Sequence, residues 1–62
     1  MKYVFTSIPG TGIELTKSNE RWHIVARYRF KYLFNNFIND EFEARTICEE
    51  LRNAIRNLEY KL

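Results

Sequence analysis

The sequence contains one cysteine, one histidine and one proline in 62 residues, and these low counts exclude several classes of protein. With Cys48 alone no internal disulfide can form, which excludes a disulfide-stapled scaffold and favours a reducing compartment such as the cytoplasm. A metal site built from cysteine and histidine needs three or four clustered ligands, which Cys48 and His23 cannot supply. We therefore expect neither a bound metal nor a cofactor.

Long apolar runs are also missing. None approaches the ~20 residues that a membrane-spanning helix needs, and the N-terminal segment lacks the apolar core of a signal peptide. The two glycines lie together in Pro9-Gly10-Thr11-Gly12, but no lysine and no helix pattern follow them, so a turn is favoured over a phosphate-binding loop. These absences predict a soluble, cytoplasmic protein without a membrane partner.

A catalytic site is not expected either. The chain has eight carboxylate side chains, but an acid–base pair needs a pocket that separates the pKa values of its members, and 62 residues leave little room for one. Folding a chain of this size buries only about 60% of its unfolded surface, which makes a lone monomer marginally stable. We therefore expect a single non-enzymatic domain that gains stability from a partner or from forming a homodimer.

The most regular pattern lies in residues 21–34, RWHIVARYRFKYLF, where two kinds of side chain alternate without interruption. Successive side chains of an extended chain point to opposite faces, so this stretch predicts β-structure with an aromatic face and a basic face. The aromatic face carries Trp22, Ile24, Ala26, Tyr28, Phe30, Tyr32 and Phe34. The basic face carries Arg21, His23, Val25, Arg27, Arg29, Lys31 and Leu33.

These fourteen residues are too many for one ordinary strand, because they would extend ~46 Å whereas typical strands have ~5–6 residues. A bend or turn near residues 28–31 is therefore expected, and a turn there would exchange the faces of the residues that follow it. Two shorter strands are predicted before it, at about residues 2–8 and 13–17, and the second of these forms a hairpin with residues 21–28.

A helix is predicted over about residues 40–60. Apolar residues recur there at spacings of three and four, which is the pattern of an amphipathic helix with one apolar stripe. Asp40 with Glu43 fits a capping box at its start, and Asn39 is an alternative cap. The stripe consists of Ala44, Ile47, Cys48, Leu51, Ala54, Ile55, Leu58 and Leu62.

The predicted fold class is α+β: a small antiparallel three-stranded sheet, a β-meander, packed on one C-terminal amphipathic helix in a single domain, residues 1–62. We expect the helix to cover the aromatic face, which leaves the basic face to solvent or to a partner. Cys48 is then directed to the core and His23 to the opposite side of the sheet, so the two residues are not expected to form a catalytic pair.

Charge is uneven along the chain, although the net charge is only +2. Residues 1–34 carry six basic and two acidic side chains, residues 35–62 carry four basic and six acidic ones, and no acidic residue lies between Arg21 and Asn39. This imbalance favours a polyanion or an acidic surface as the partner of the basic face. The open alternative is a solvated sheet face whose basic residues protect an edge strand. The candidate binding residues, the last two of which depend on where the turn falls, are Arg21, His23, Arg27, Arg29 and Lys31.

Several segments follow a further pattern, namely Arg21-Trp22-His23-Ile24-Val25-Ala26-Arg27, then Lys31-Tyr32-Leu33, then Phe37, then Glu43-Ala44. Together they resemble the AP2-like DNA-binding domain of plant transcription factors and phage homing endonucleases, and the related N-terminal domain of tyrosine recombinases. The resemblance, over about residues 12–58, implies that an exposed sheet face lies in the DNA major groove while a helix backs the sheet. It implies DNA contacts by Arg21 and Arg27, and by Arg29 and Lys31 if the turn leaves them on that face.

These features are compatible with three functions. The first is a small non-catalytic module that binds nucleic acid, and DNA in particular, through the basic face. The second is an inhibitor encoded by a phage or mobile element, anti-CRISPR-like or a host-takeover factor, that binds an acidic surface on a host protein. The third is a homodimer that pairs through an open sheet edge. The ten aromatic residues exceed what so small a core can hide, and exposed ones suit protein interfaces or stacking on single-stranded bases.

Overall fold

The computed structural model describes the backbone of residues 2–60 and the side chains of residues 6–60. In chain order its elements are β1 (Lys2–Phe5), β2 (Gly12–Ser18), β3 (Arg21–Tyr28), β4 (Lys31–Ile38) and α1 (Glu41–Tyr60). Each strand pairs antiparallel with the next, so the order across the sheet is β1-β2-β3-β4.

The predicted class, an α+β fold in which an antiparallel meander is followed by one C-terminal helix, is confirmed. Strands β1, β2 and β3 form the meander, and β4 extends it because the stretch 21–34 divides into two strands. Strand β1 ends at Phe5 instead of continuing to Ile8. Beyond it the N–H of Ile8 donates to the Thr6 hydroxyl at 3.2 Å, a local turn that competes with strand pairing.

The turn inside the stretch 21–34 lies at Arg29 and Phe30. Both residues have positive φ angles, 52° and 67°, as in a type I′ two-residue hairpin turn. A neighbouring loop holds this turn in place: the Phe30 N–H donates to the Gly10 carbonyl at 3.2 Å, and the Arg29 N–H donates to the Thr11 hydroxyl at 3.1 Å. The turn itself contains no glycine, so only the length of the stretch indicated where it lies.

The turn exchanges the faces of the residues that immediately follow it. The register pairs Tyr28 with Lys31 and Arg27 with Tyr32, and residues directly opposite each other in a ladder share a face. Lys31 therefore lies on the face of Tyr28, and Tyr32 lies on the face of Arg27. Uninterrupted alternation assigns both residues to the opposite faces and is wrong at these two positions. The exchange is the one expected from a turn near residues 28–31.

A β-bulge at Leu33 then restores the original alternation. The register shifts after Ala26, which lies opposite Phe34, so that Leu33 is the extra residue of β4. Phe34, opposite Ala26, therefore lies on the face that the pattern predicts, and Phe37 lies opposite His23. The turn and the bulge together place a short segment of β4 on reversed faces.

The core lies between one face of the sheet and the apolar stripe of α1. With 20 residues α1 is about 30 Å long, comparable to the roughly 26 Å of an eight-residue strand such as β3, and it contacts β2, β3 and β4. The buried residues are Ile13, Leu15, Ile24, Ala26, Ala44, Cys48 and Ile55. Those packed at the margin of this core are Trp22, Phe34, Ile38, Ile47 and Leu51.

Helix α1 starts where the capping pattern indicates. The N–H of Glu43 donates to the Asp40 carboxylate at 2.9 Å, so Asp40 and not Asn39 is the cap. The predicted stripe is buried or half-buried except for Ala54, which is exposed, and Leu62, which lies outside the described residues. No helix in the described part of the chain is both long and apolar enough to cross a membrane.

Candidate functional site

One face of the sheet carries α1, and no element of the described chain covers the other face, which we name the outer face. The buried residues of β2 and β3 alternate along each strand and point toward α1, so the side chains between them point to the outer face. Across the three strands that α1 contacts, the side chains of the outer face are those of Glu14, Thr16, Ser18, Arg21, His23, Val25, Arg27, Tyr32, Asn35 and Phe37.

At one end of the outer face, the ring of His23 stacks on the ring of Phe37, which lies directly opposite on β4. The ring centroids are 4.5 Å apart and the ring planes meet at 17°. The Nε2–H of His23 donates to the side-chain oxygen of Asn35 at 2.7 Å, which orients the imidazole ring. The guanidinium carbon of Arg21 lies 5.1 Å from the Phe37 ring centroid, within cation–π range. This end is therefore a packed cluster of a cation, an imidazole and an aromatic ring.

The same arrangement of arginine on β3 and aromatic ring on β4 recurs at the other end. The guanidinium carbon of Arg27 lies 5.1 Å from the Tyr32 ring centroid, and its Nη2 donates to the Tyr32 hydroxyl at 3.2 Å. Tyr32 and Phe37 remain 59% and 48% exposed, so each ring keeps accessible surface beside its arginine. An arginine that is already held against a ring loses less side-chain conformational entropy when it binds a ligand, which favours affinity.

The structure brings together three of the five predicted binding residues on the outer face, namely Arg21, His23 and Arg27. Arg29 lies in the turn, with its guanidinium carbon 5.6 Å from the Tyr28 ring centroid. Lys31 lies opposite Tyr28, whose hydroxyl donates to a carbonyl of α1 at 3.5 Å, so Lys31 belongs to the side of the sheet that carries the helix. The register thus corrects the placement of Lys31 on the basic face.

The predicted site omits two aromatic residues of the outer face, Tyr32 and Phe37. Uninterrupted alternation assigns Tyr32 to the aromatic face, and the pair Asn35-Asn36 looks like a break that leaves Phe37 at the approach to the helix. Only the register with β3 brings both rings beside the arginines. The sequence did contain one signal for Tyr32, namely the turn expected near residues 28–31. A two-residue hairpin turn there moves Tyr32 to the opposite face.

Charge is divided between the two sides of the molecule. Among the described side chains, the outer face has the guanidinium groups of Arg21 and Arg27 with one carboxylate, that of Glu14. Helix α1 on the other side carries five glutamates and three arginines. The uneven distribution of charge along the sequence therefore becomes a basic outer face and a more acidic helix side.

The two residues with the most reactive side chains lie on opposite sides of the sheet. Cys48 faces the core from α1, and burial raises the pKa of its thiol, which lowers the fraction of nucleophilic thiolate. His23 lies on the outer face, so it cannot act as the base for Cys48. Among the residues that the structure describes, no group of three or more metal-binding side chains occurs.

Comparison of the chain with known protein families, with curated proteins and with solved structures finds no match. The resemblance to the AP2-like domain stays a prediction based on the residues that carry it.

Proposed function

We propose that the protein is a small non-catalytic module that binds nucleic acid through the outer face of its sheet. One observation carries the proposal: on that face an arginine of β3 lies against an exposed aromatic ring of β4 twice, as Arg21 with Phe37 and Arg27 with Tyr32. Arginine forks bind phosphate oxygens, and aromatic rings contact bases, so the repeated pair offers both kinds of contact that nucleic acids need.

The distribution of charge supports a polyanionic ligand. The outer face is the basic side of the molecule, and the more acidic helix lies behind it, so a polyanion would be drawn to one side in preference to the other. The resemblance to the AP2-like domain adds a second line of support, because that family is expected to present arginines on a sheet face with a helix behind the sheet. A free, buried Cys48 suits a reducing compartment, and we propose the cytoplasm as the place of action.

The test is the salt dependence of binding to labelled duplex and single-stranded oligonucleotides, measured by fluorescence anisotropy between about 50 and 200 mM salt. Affinity is expected to fall steeply with salt. Combining Arg21→Gln with Arg27→Gln is expected to weaken binding and to reduce the slope of log K against log salt by about one unit for each arginine.

The matched control combines Arg52→Gln with Arg56→Gln, which removes the same charge from exposed positions on α1. This control is expected to bind almost as tightly as the unaltered protein. An equal loss in both double variants would mean that net charge and not the outer face governs binding. Absence of binding to any oligonucleotide at low salt would refute the proposal.

The alternative is an inhibitor that occupies an acidic surface of another protein, such as a host protein bound by a factor from a phage or mobile element. One observation favours it: Tyr32, Leu33 and Phe37 are all exposed along β4, and exposed aromatic residues beside arginines are typical of interface hot spots. The alternative predicts a stoichiometric protein partner together with no affinity for nucleic acid. Strand β4 also leaves an open edge of the described sheet, through which a homodimer could pair.

A further inference from the structure

We propose that the ligand of the outer face is single-stranded rather than duplex nucleic acid, with its phosphates along β3 and its unpaired bases along β4. The inference rests on the proposed function and names the form of nucleic acid that the face fits. It is carried by the separation of cationic and aromatic side chains into two neighbouring columns.

The two columns follow the two strands. Arg21 and Arg27 project from β3, and their aromatic neighbours Phe37 and Tyr32 project from β4, about 4.8 Å away across the ladder. A polynucleotide strand also has two sides, a charged backbone and a row of apolar base faces. A strand that runs along the β3–β4 pair could therefore place phosphates on one column and bases on the other without crossing either.

A duplex offers the exposed rings few surfaces on which they can stack. Inside a duplex the faces of the bases are covered by their neighbours, so a protein reaches only base edges and phosphates. Unpaired bases offer their π-faces, and an aromatic side chain can stack on any of them regardless of sequence. Tyr32 is 59% exposed beside Arg27, and Phe37 is 48% exposed beside Arg21 and the stacked ring of His23. An unpaired base can contact the part of each ring that stays exposed.

The spacing of the rings also favours a strand whose bases can separate. His23 and Arg27, which lie opposite Phe37 and Tyr32, are four residues apart on β3, so the two rings are ~13 Å apart along the strand direction. Stacked bases of one DNA strand follow each other every ~3.4 Å, so several stacked bases would lie between the two rings. The faces of those bases would be covered by their neighbours and could not contact the rings. A flexible single strand can turn one base onto each ring.

The edge position of β4 leaves space for those bases. In the described sheet β4 is the last strand, with β3 as its neighbour on one side. Bases stacked on Tyr32 and Phe37 can therefore extend beyond the edge without meeting another described element.

The test compares three labelled probes by fluorescence anisotropy on the full chain: oligodeoxyuridine, oligouridine and a hairpin duplex. Single-stranded probes are expected to bind at least about tenfold more tightly than the duplex at equal salt. The two single-stranded arms separate DNA from RNA as the source of the ligand, because only RNA carries the 2′-hydroxyl.

The decisive variant combines Tyr32→Leu with Phe37→Leu, which keeps apolar bulk but removes both stacking surfaces. It is expected to lose roughly tenfold in affinity for single strands per ring. The loss for the duplex is expected to be smaller, because a duplex gains from the rings only through the arginines that they hold. The matched control, Phe42→Leu with Tyr60→Leu, removes two rings that are 78% and 82% exposed on α1 and is expected to bind normally. Circular dichroism and thermal unfolding establish that both double variants are folded.

An independent measurement does not need a variant. Ultraviolet cross-linking of a bromouridine-containing strand, followed by mass spectrometry, is expected to find base adducts on Tyr32 or Phe37. Equal or tighter binding of the duplex, with no effect of the two leucine substitutions, would overturn this inference while leaving the proposed function standing. Failure of every probe to bind at low salt would instead overturn both.

Discussion

At the scale of single residues, the turn between β3 and β4 depends on a glycine that lies outside it. Positive φ angles at Arg29 and Phe30 disfavour residues with a Cβ by ~1–2 kcal/mol each. Gly10 offsets part of this cost, because its carbonyl accepts the Phe30 N–H and its lack of a side chain makes room for the Phe30 ring. The loop that contains Gly10 thus supports the hairpin that carries Tyr32.

Replacing this glycine is expected to be costly. A Cβ on Gly10 would lie 2.5 Å from Cδ1 of Phe30, and the φ angle of 71° at Gly10 is itself unfavourable for alanine. We expect Gly10→Ala to lower the free energy of unfolding by about 1–3 kcal/mol, measured by urea unfolding with Trp22 fluorescence. In a Phe30→Ala background the same substitution is expected to lower the free energy of unfolding by a smaller amount, since only the backbone strain at Gly10 remains. Equal costs in the two backgrounds would show that the ring does not pack on Gly10.

At the scale of elements, local patterns predict β3 and α1, because one-sided burial imposes a period of two on the strand and of three to four on the helix. Strand β4 is harder to predict as a separate element, since its turn contains neither glycine nor proline and the pair Asn35-Asn36 resembles a break. The positions of Tyr32 and Phe37 depend on register with another strand, which is not a local property. The arginines of the site were therefore predictable from the local pattern, Tyr32 only from the position of the turn, and Phe37 only from the register.

Deletion of Leu33 tests the account of the bulge. Without this residue Phe34 follows Tyr32 directly, and Ala26 and Arg27 pair with consecutive residues, so every remaining side chain of β4 keeps its face. We expect the deletion to change the free energy of unfolding by less than about 1 kcal/mol and to leave oligonucleotide binding intact. Urea unfolding and anisotropy measure the two quantities.

The matched deletion removes Asn35 from the same strand. It forces either Ile38 away from the helix side or Leu33 into the place of Phe34, so a loss of roughly 1–3 kcal/mol is expected from reduced apolar burial. If deletion of Leu33 proved as destabilising as deletion of Asn35, Leu33 would not be a dispensable extra residue, and the assigned register of β4 would be wrong.

At the scale of the whole molecule, the two layers make the outer face electrostatically independent of the helix. The Cα trace measures 37 × 18 × 15 Å, so exposed helix charges lie about one molecular thickness from the outer face. The Debye length is ~8 Å at physiological ionic strength, so solvent ions screen most of the interaction between charges that far apart. The potential that a ligand meets at the outer face therefore depends on the side chains of that face.

This independence predicts that two glutamates of equal charge have unequal effects. Glu14 lies on the outer face opposite Val25, whereas Glu49 is exposed on α1. Glu14→Gln is expected to raise affinity for single-stranded oligonucleotides by about two- to fivefold at about 0.15 M salt, because it removes a carboxylate beside the phosphate path, and the gain should shrink as salt rises further. Glu49→Gln changes the net charge equally and is expected to leave affinity unchanged in the same anisotropy assay. Equal gains from both would mean that the molecule attracts nucleic acid through its net charge and not through the charges of the outer face.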